Sequence, residues 1–490
     1  MNRVVFVSNR VADPNKSTHA GGVTVAISDY LNEHAGLWFG WSGNIDNERS
    51  FEVNRHLSVA TLPLTESEYL NYYLGYSNSV LWPVFHNRVD LARFEEGYFD
   101  AYAAVNRRFA SALVSLLTPG DIIWVHDYHF ITIAQELRAL GVSNKIGFFL
   151  HIPFPPSQSF MAVPEYLQLA QDFAAYDLIG LQATSDVANM IDFLLHGAGA
   201  HMLPDGRMKI GHRECSIVSA PVGIDPSYFK PSLSPNTIKN YVDSGHIARI
   251  IGVDRLDYTK GLPQKFRAFD HFLSAHPEYC NRAILTQIAA PTRESVEAYN
   301  DIRKELESLA GAINGRYGDL EWVPIHYINR TTARERLVDV YRSSAVGLVT
   351  PLRDGMNLVA KEYVAAQDPA NPGVLILSRF AGAAEQLSDA LIVNPYNVEE
   401  VSASIYSAIK MSLPERQQRH ASLMKNIETH TAANWAQNFL TALATTGAQA
   451  ENGSERTGKN RRRAPAPKAK APSSSSTRGL AATSQLNRTW

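Results

Sequence analysis

The stretch Arg353-Asp354-Gly355-Met356-Asn357-Leu358-Val359-Ala360-Lys361-Glu362, which follows the apolar run Ala345-Val346-Gly347-Leu348-Val349, sets two carboxylates about two helical turns apart. An apolar run, a loop with Gly and Asn, and then Leu-Val-Ala-Lys-Glu-Tyr-Val predict buried strand, tight loop and helix. Ligands of open α/β sheets sit at such places, outside the carboxyl ends of strands. The first N–H groups of the new helix have no intrahelical partner and its dipole favours an anion, so Leu358 and Val359 can hold a phosphate through main chain alone. Asp354 would then meet sugar hydroxyls near the phosphate and Glu362 a more distant ribose. The spacing fits a nucleotide sugar. The ordinary alternative is a turn-shaping Asp and a Glu that ion-pairs on the helix surface.

Three further clusters have chemical potential. Ala248-Arg249-Ile250-Ile251-Gly252-Val253 runs into Asp254-Arg255-Leu256-Asp257-Tyr258-Thr259-Lys260-Gly261, so Arg255 and Lys260 stand at the mouth of a helix and together can neutralise a diphosphate, unless Asp254 and Asp257 already pair with them. Arg10 ends the strand-like Val4-Val5-Phe6-Val7, and Arg293 follows the strand-like Ile284–Ala289. A planar guanidinium at a strand end suits a phosphate. Ile122-Ile123-Trp124-Val125 ends at His126-Asp127-Tyr128-His129, and Ile146–Leu150 at His151. Asp127 and His151 suit sugar hydroxyls at a cleft. A metal is the weaker reading of these histidines, because adjacent strand residues point to opposite faces and do not converge automatically.

The elements that must position these groups repeat an α/β rhythm twice. Val4–Val7, a polar loop and Gly21-Gly22 before Val23-Thr24-Val25 form a second possible phosphate cradle, without the G-x-G-x-x-G of dinucleotide sites. The segments Trp38–Gly43 and Tyr72–Pro83 carry aromatics among Gly, Ser and Pro rather than at helical spacing, and read as loops whose Tyr73 and Trp82 can face sugar rings. We expect a first domain over 1–230, a second over 231–447 after the linker-like Pro231-Ser232-Leu233-Ser234-Pro235, and a disordered basic tail over 448–490. That tail hides a charge asymmetry. The chain has a net charge of −2, yet residues 451–490 hold nine Lys/Arg and two Glu, leaving the body mildly acidic and unlike a nucleic-acid surface. Cys215 and Cys280 are the only cysteines and form no C-x-x-C, which points to a reducing, cytoplasmic setting. No signal-peptide pattern and no run near the ~20 apolar residues of a membrane span is present.

Taken together, VSNR, AGG, GLWFGWSG, SNSVLWP, IIWVHDYH, GFFLHIPFP, RLDYTKGLP, TQIAAPTR, GLVTPLRDGMNLVAKEY and PANPGVLILS resemble the trehalose-6-phosphate synthases, from about residue 2 to 445. The resemblance implies an α/β protein of the GT-B type, two Rossmann-like doubly wound domains facing a central cleft. It implies a retaining glycosyltransferase with UDP-glucose as the usual donor and glucose 6-phosphate as acceptor. Gly21, Gly22, Arg255, Lys260, Asp354 and Leu358, Val359, Ala360, Lys361 and Glu362 would hold the donor. Arg10, Tyr73 and Arg293 would bind the acceptor phosphate, with Asp127 and His151 lining the sugar site and Trp82 near the anomeric centre. A family contact to the uracil falls on Thr332, which leaves the donor base open.

The chemistry implied is departure of glucose through an oxocarbenium-like transition state, with Arg255, Lys260 and the helix terminus stabilising the leaving phosphate. These groups stand in place of a metal or other cofactor, and no Asp-x-Asp triplet occurs. Two-carboxylate glycosidases retain configuration through a nucleophile. The resemblance instead favours front-face attack with no covalent nucleophile. A related synthase using another acceptor such as glycerol 3-phosphate, or a silent sugar-phosphate sensor, fits the same phosphate ligands. Neither a membrane nor a nucleic-acid partner is expected, and the sequence leaves room for a homo-oligomer.

Overall fold

The structure, a computed structural model, describes residues 2–11, 27, 30–31, 34, 36–47, 52–54, 58–229, 247–293 and 296–446. Gly21, Gly22, the expected boundary at 230–231 and the tail lie outside them.

Nearly continuous apolar runs become strands buried on both faces, as parallel sheets require. Among the described residues ten lie before residue 220: β1 (Val4–Arg10), β2 (Gly36–Ile45), β3 (Glu52–Asn54), β4 (Val59–Leu64), β5 (Ile122–His126), β6 (Lys145–Phe149), β7 (Leu178–Leu181), β8 (His201–Met202), β9 (Met208–Ile210) and β10 (Arg213–Ser219). They form one sheet in the order β3-β4-β2-β1-β5-β6-β7-β10-β9-β8, parallel except for the edge strands β3, β9 and β8. Six more follow: β11 (Ala248–Arg255), β12 (Ala283–Ala290), β13 (Ile325–Ile328), β14 (Val346–Val349), β15 (Val374–Ser378) and β16 (Leu391–Val393). They form an all-parallel sheet in the order β13-β12-β11-β14-β15-β16.

Both sheets are doubly wound, and each has a point where the strand order reverses. It lies between β1 and β5 in the first sheet and between β11 and β14 in the second. Crevices at such switch points are where open sheets bind ligands. Arg10 and Asp127 stand at the first, Arg255 and Asp354 at the second.

The aromatic segment 69–82 is helical rather than loop. Residues from Glu66 to Phe85 run as one helix, started by a Thr65–Glu68 capping box and widened to π geometry over Tyr69–Leu81. The wider turn moves the apolar period away from 3.6 residues, which is why the aromatics look irregular in sequence. Side chains satisfy the displaced carbonyls: Asn78 donates to Tyr73 O at 2.7 Å and Ser79 to Leu74 O at 2.7 Å. Gly75 leaves room for the ring of Tyr98, which a Cβ there would approach to 2.8 Å.

The helix Ala432–Thr445, though it ends the stretch expected to form the second domain, packs on the first sheet. Phe439 fills the space left by Gly147 and Gly180 and stacks on Trp124, with centroids 4.6 Å apart. Among the described residues no helix is long and apolar enough to cross a membrane.

Candidate active site

On the second sheet, β14 leads through the loop 350–357 into the helix Leu358–Ala366. Asn357 caps that helix from a left-handed conformation (φ 76°), its side chain accepting from Ala360 N–H at 3.2 Å. The cap takes the third N–H and leaves Leu358 and Val359 at the N-terminal positions where an anion is favoured. Lys260, on the short helical turn Tyr258–Lys260 after β11, donates to Asp354 Oδ2 at 2.6 Å, and Asn357 donates to the same oxygen at 3.0 Å. Burial alone would push the Asp354 carboxyl up, and Lys260 outweighs it, holding the group below the ordinary carboxylate range. Of the two carboxylates that could compete for Arg255 and Lys260, Asp254 is engaged elsewhere and Asp257 stays within electrostatic reach of both. Asp254 binds Lys265 at 2.8 Å, and Asp257 accepts from Thr259 N–H at 3.0 Å.

Glu362 lies one side of this helix, where Tyr341 donates to it at 3.3 Å and burial raises its carboxyl. The Lys361 ammonium points away from the cleft, to Val222 O at 2.7 Å and Gln386 Oε1 at 2.6 Å, and burial lowers it to about 7. Only the main chain of Lys361 is free to share in donor binding.

On the first sheet, Asp127 follows β5 with φ 73° and ψ 166°, a region almost confined to glycine, where a side chain costs about 1–3 kcal/mol. Its carboxylate accepts from His151 N–H at 3.2 Å, and burial pushes it up to about 6 against the pull of Arg255 and Arg293. Strain and desolvation at one carboxylate make Asp127 a candidate functional position. His126 and His151 do converge, their rings in hydrogen-bond contact at 3.0 Å (Nδ1 to Nε2). Burial drives both toward the neutral form, His151 to about 3. Among the described residues no group of three or more His, Cys, Asp or Glu is disposed to hold a metal ion.

The residues expected on the acceptor side gather from three elements. Arg10 lies over Trp41, 6.0 Å from the ring centroid, and Trp41 neighbours Tyr73 at 5.3 Å. Tyr73 stacks on His129. Trp82 lies under two guanidinium groups, Arg293 at 3.9 Å and Arg255 at 5.3 Å. Arg293 belongs to the second sheet but donates to Tyr128 of the first at 3.0 Å. The site is therefore built from both halves.

Other contacts hold the halves together. Gly355 lies against His151, and a Cβ on it would be 2.3 Å from the His151 carbonyl oxygen. Arg353 pairs with Asp186 at 3.1 Å, and Glu385 accepts from Thr184 N–H at 2.8 Å and Ser185 N–H at 3.2 Å, capping the helix Thr184–Asp192.

Five residues of the site were not singled out from sequence. Tyr128, Tyr299, Asn78 and His86 are buried polar groups, and the first three have hydrogen-bond partners distant in the chain. Asp257 lay inside a recognised motif but was read only as a partner for its neighbours. His86, lowered to about 4 by burial despite nearby Asp257, lies tilted against Trp82 with ring centroids 4.2 Å apart.

With this geometry in place, comparison with known proteins decides the family. The model of glycosyltransferase family 20 matches residues 4–445. The chain belongs to family 20. It is 45% identical over 451 residues to a trehalose-6-phosphate synthase of Klebsiella pneumoniae, covering 90% of this chain and 95% of that one. A second such synthase, from Escherichia coli, is 44% identical with the same coverage. Two solved family structures superpose with TM-scores of 0.86. One is a UDP-forming α,α-trehalose-phosphate synthase from Burkholderia xenovorans in complex with glucose 6-phosphate, at 43% identity over 90% of this chain and all of that one. The other is the E. coli protein bound with UDP-2-fluoro glucose, at 44% identity over 90% and 98%. The family 20 chain described here has their GT-B architecture.

Proposed function

We propose that this family 20 protein transfers glucose from UDP-glucose to glucose 6-phosphate with retention, giving α,α-trehalose 6-phosphate and UDP. The observation that carries the reading is the junction of the two switch points. Arg255, Lys260 and the Leu358–Val359 N–H groups suit a diphosphate on one side. Arg10, Tyr73 and Arg293 suit a phosphate on the other. Asp354 would take the glucose hydroxyls, Glu362 the ribose, and Asp127 and His151 the sugars between. Relatives bound to glucose 6-phosphate and to a UDP-glucose analogue support the pairing.

In the reaction, the bond from glucose C1 to the β-phosphate oxygen breaks while C1 bonds to the anomeric hydroxyl of the acceptor. The hydroxyl proton passes to the departing phosphate on the same face. Preorganised cations beside that phosphate stabilise the charge as it develops, which makes this the largest contribution available here. The first sheet would form the acceptor domain and the second the donor domain. Cys215 and Cys280 are both free, which suits a reducing compartment, and we place the reaction in the cytoplasm.

The test is nucleotide release on mixing UDP-, ADP- or GDP-glucose with glucose 6-phosphate or glycerol 3-phosphate, with product mass recorded. A disaccharide phosphate formed only from UDP-glucose and glucose 6-phosphate is expected. Turnover only with glycerol 3-phosphate would move the acceptor assignment, and none with any pair would favour a sensor.

A further inference from the structure

A chain of buried and half-buried hydrogen bonds joins the two phosphate sites. Asp257 Oδ1 accepts from Thr259 N–H at 3.0 Å, the residue before Lys260, and its Oδ2 accepts from Tyr299 OH at 3.3 Å. The Tyr299 oxygen accepts in turn from Arg293 Nη1 at 2.7 Å. Arg293 Nη2 donates to Tyr128 OH at 3.0 Å, Tyr128 donates to Asn78 Oδ1 at 2.9 Å, and Asn78 Nδ2 donates to the carbonyl of Tyr73 at 2.7 Å. Asp257, Tyr299, Tyr128 and Asn78 are at most 1% exposed. A chain so thoroughly desolvated is costly to leave half-made, so its members move together or break a bond.

Its charge distribution fits that role. Burial pushes the Asp257 carboxyl up, but Arg255, Arg293 and Lys260 outweigh it and hold it below the ordinary range, so one anion serves three cations. Arg293 keeps a left-handed backbone (φ 48°), uncommon for such a side chain and held only where surroundings dictate it. Tyr299 also meets the ring of Tyr258 edge-on at 5.3 Å.

We propose that Tyr299 and Asp257 are positioning residues that lock the acceptor-side Arg293 to the donor loop bearing Lys260, so that acceptor phosphate and nucleotide diphosphate bind synergistically. The proposal rests on the reading of Arg293 as an acceptor-phosphate ligand. Neither residue touches substrate. Tyr299 sets where the guanidinium stands, and Asp257 sets where the turn bearing Lys260 stands. Because coupling of binding is reciprocal, glucose 6-phosphate must tighten UDP by the same factor as UDP tightens glucose 6-phosphate.

Tyr299→Phe keeps the ring and removes the link. Calorimetry of UDP binding with and without saturating glucose 6-phosphate should show at least fivefold tightening in the parent and less than twofold in the variant. The variant's acceptor KM should rise about tenfold with a smaller change in kcat. Asp257→Asn, measured the same way, should also lose the synergy, and thermal melts establish that each variant is folded. Retained synergy in folded Tyr299→Phe overturns the proposal, as does a parent without synergy. Arg293→Ala separates the two levels. An unchanged acceptor KM there overturns the phosphate reading and the proposal with it. A raised KM there, beside an unaltered Tyr299→Phe, overturns the proposal alone.

Discussion

The two sides of the cleft, donor and acceptor on the proposed reading, are built on different principles. On the donor side, Arg255, Lys260, Asp354 and the helix Leu358–Ala366 come from two strand-loop-helix units, and local backbone geometry does most of the positioning. On the acceptor side, Arg10, Tyr73, Trp82 and Asp127 come from two strand ends and a widened helix, and Arg293 is supplied by the other sheet. A phosphate in a transition state needs fixed charge and N–H groups, which one loop can supply. A sugar phosphate that must be oriented needs contacts from several directions, and those come from tertiary assembly.

If the donor side carries the transition state, Lys260→Ala should lower kcat by ~10²-fold or more with a smaller change in acceptor KM, as steady-state kinetics would record. Equal loss in both parameters for the acceptor would dissolve the distinction. Gly355→Ala probes the seam between the sides. Its new Cβ cannot fit 2.3 Å from the His151 carbonyl, so the donor loop must withdraw from the first sheet. A misplacement of about 1 Å costs up to ~10²-fold in kcat/KM, and a parent-like rate would show that the seam need not close. Arg293→Lys keeps the charge but loses the planar fork, and acceptor KM should rise about tenfold while kcat stays within a few-fold. An unchanged acceptor KM would remove Arg293 from the acceptor side.

The last effect concerns stability rather than turnover. Asp127 sits at about 6 against an ordinary 3.8 because of burial. The native chain therefore holds this proton more tightly than the unfolded chain, so the group's contribution is fully present below about pH 4 and is lost as pH rises through about 6. Asp127→Asn removes the titration. Relative to the parent it should gain up to about 3 kcal/mol between pH 4 and pH 7, at 1.36 kcal/mol per unit, while losing activity. Urea unfolding at several pH values measures it, and parallel pH curves for the two proteins would show that Asp127 is not held protonated by its site.

The same contrast explains what was legible in the sequence. The strand runs, and the strand-loop-helix units that carry Arg255, Lys260, Asp354 and Glu362, could be read because strand, loop and helix termini leave local signatures. The aromatic helix could not, because π geometry shifts the period that pattern reading depends on. The strain at Asp127 is invisible in composition, since nothing near it is glycine. Tyr128 and Tyr299 look like core tyrosines until Arg293, in the loop after β12, comes between them. The return of Ala432–Thr445 to the first sheet had no signal either, because Gly147 and Gly180 acquire their meaning only when Phe439 packs against them.

The most direct measurement is a crystal structure of the protein with UDP and glucose 6-phosphate bound together. This account predicts the diphosphate against Arg255, Lys260 and the N–H groups of Leu358 and Val359, with the sugar phosphate on Arg10, Tyr73 and Arg293 across Trp82. A diphosphate seated away from Lys260, or a sugar phosphate held without Arg293, would contradict it.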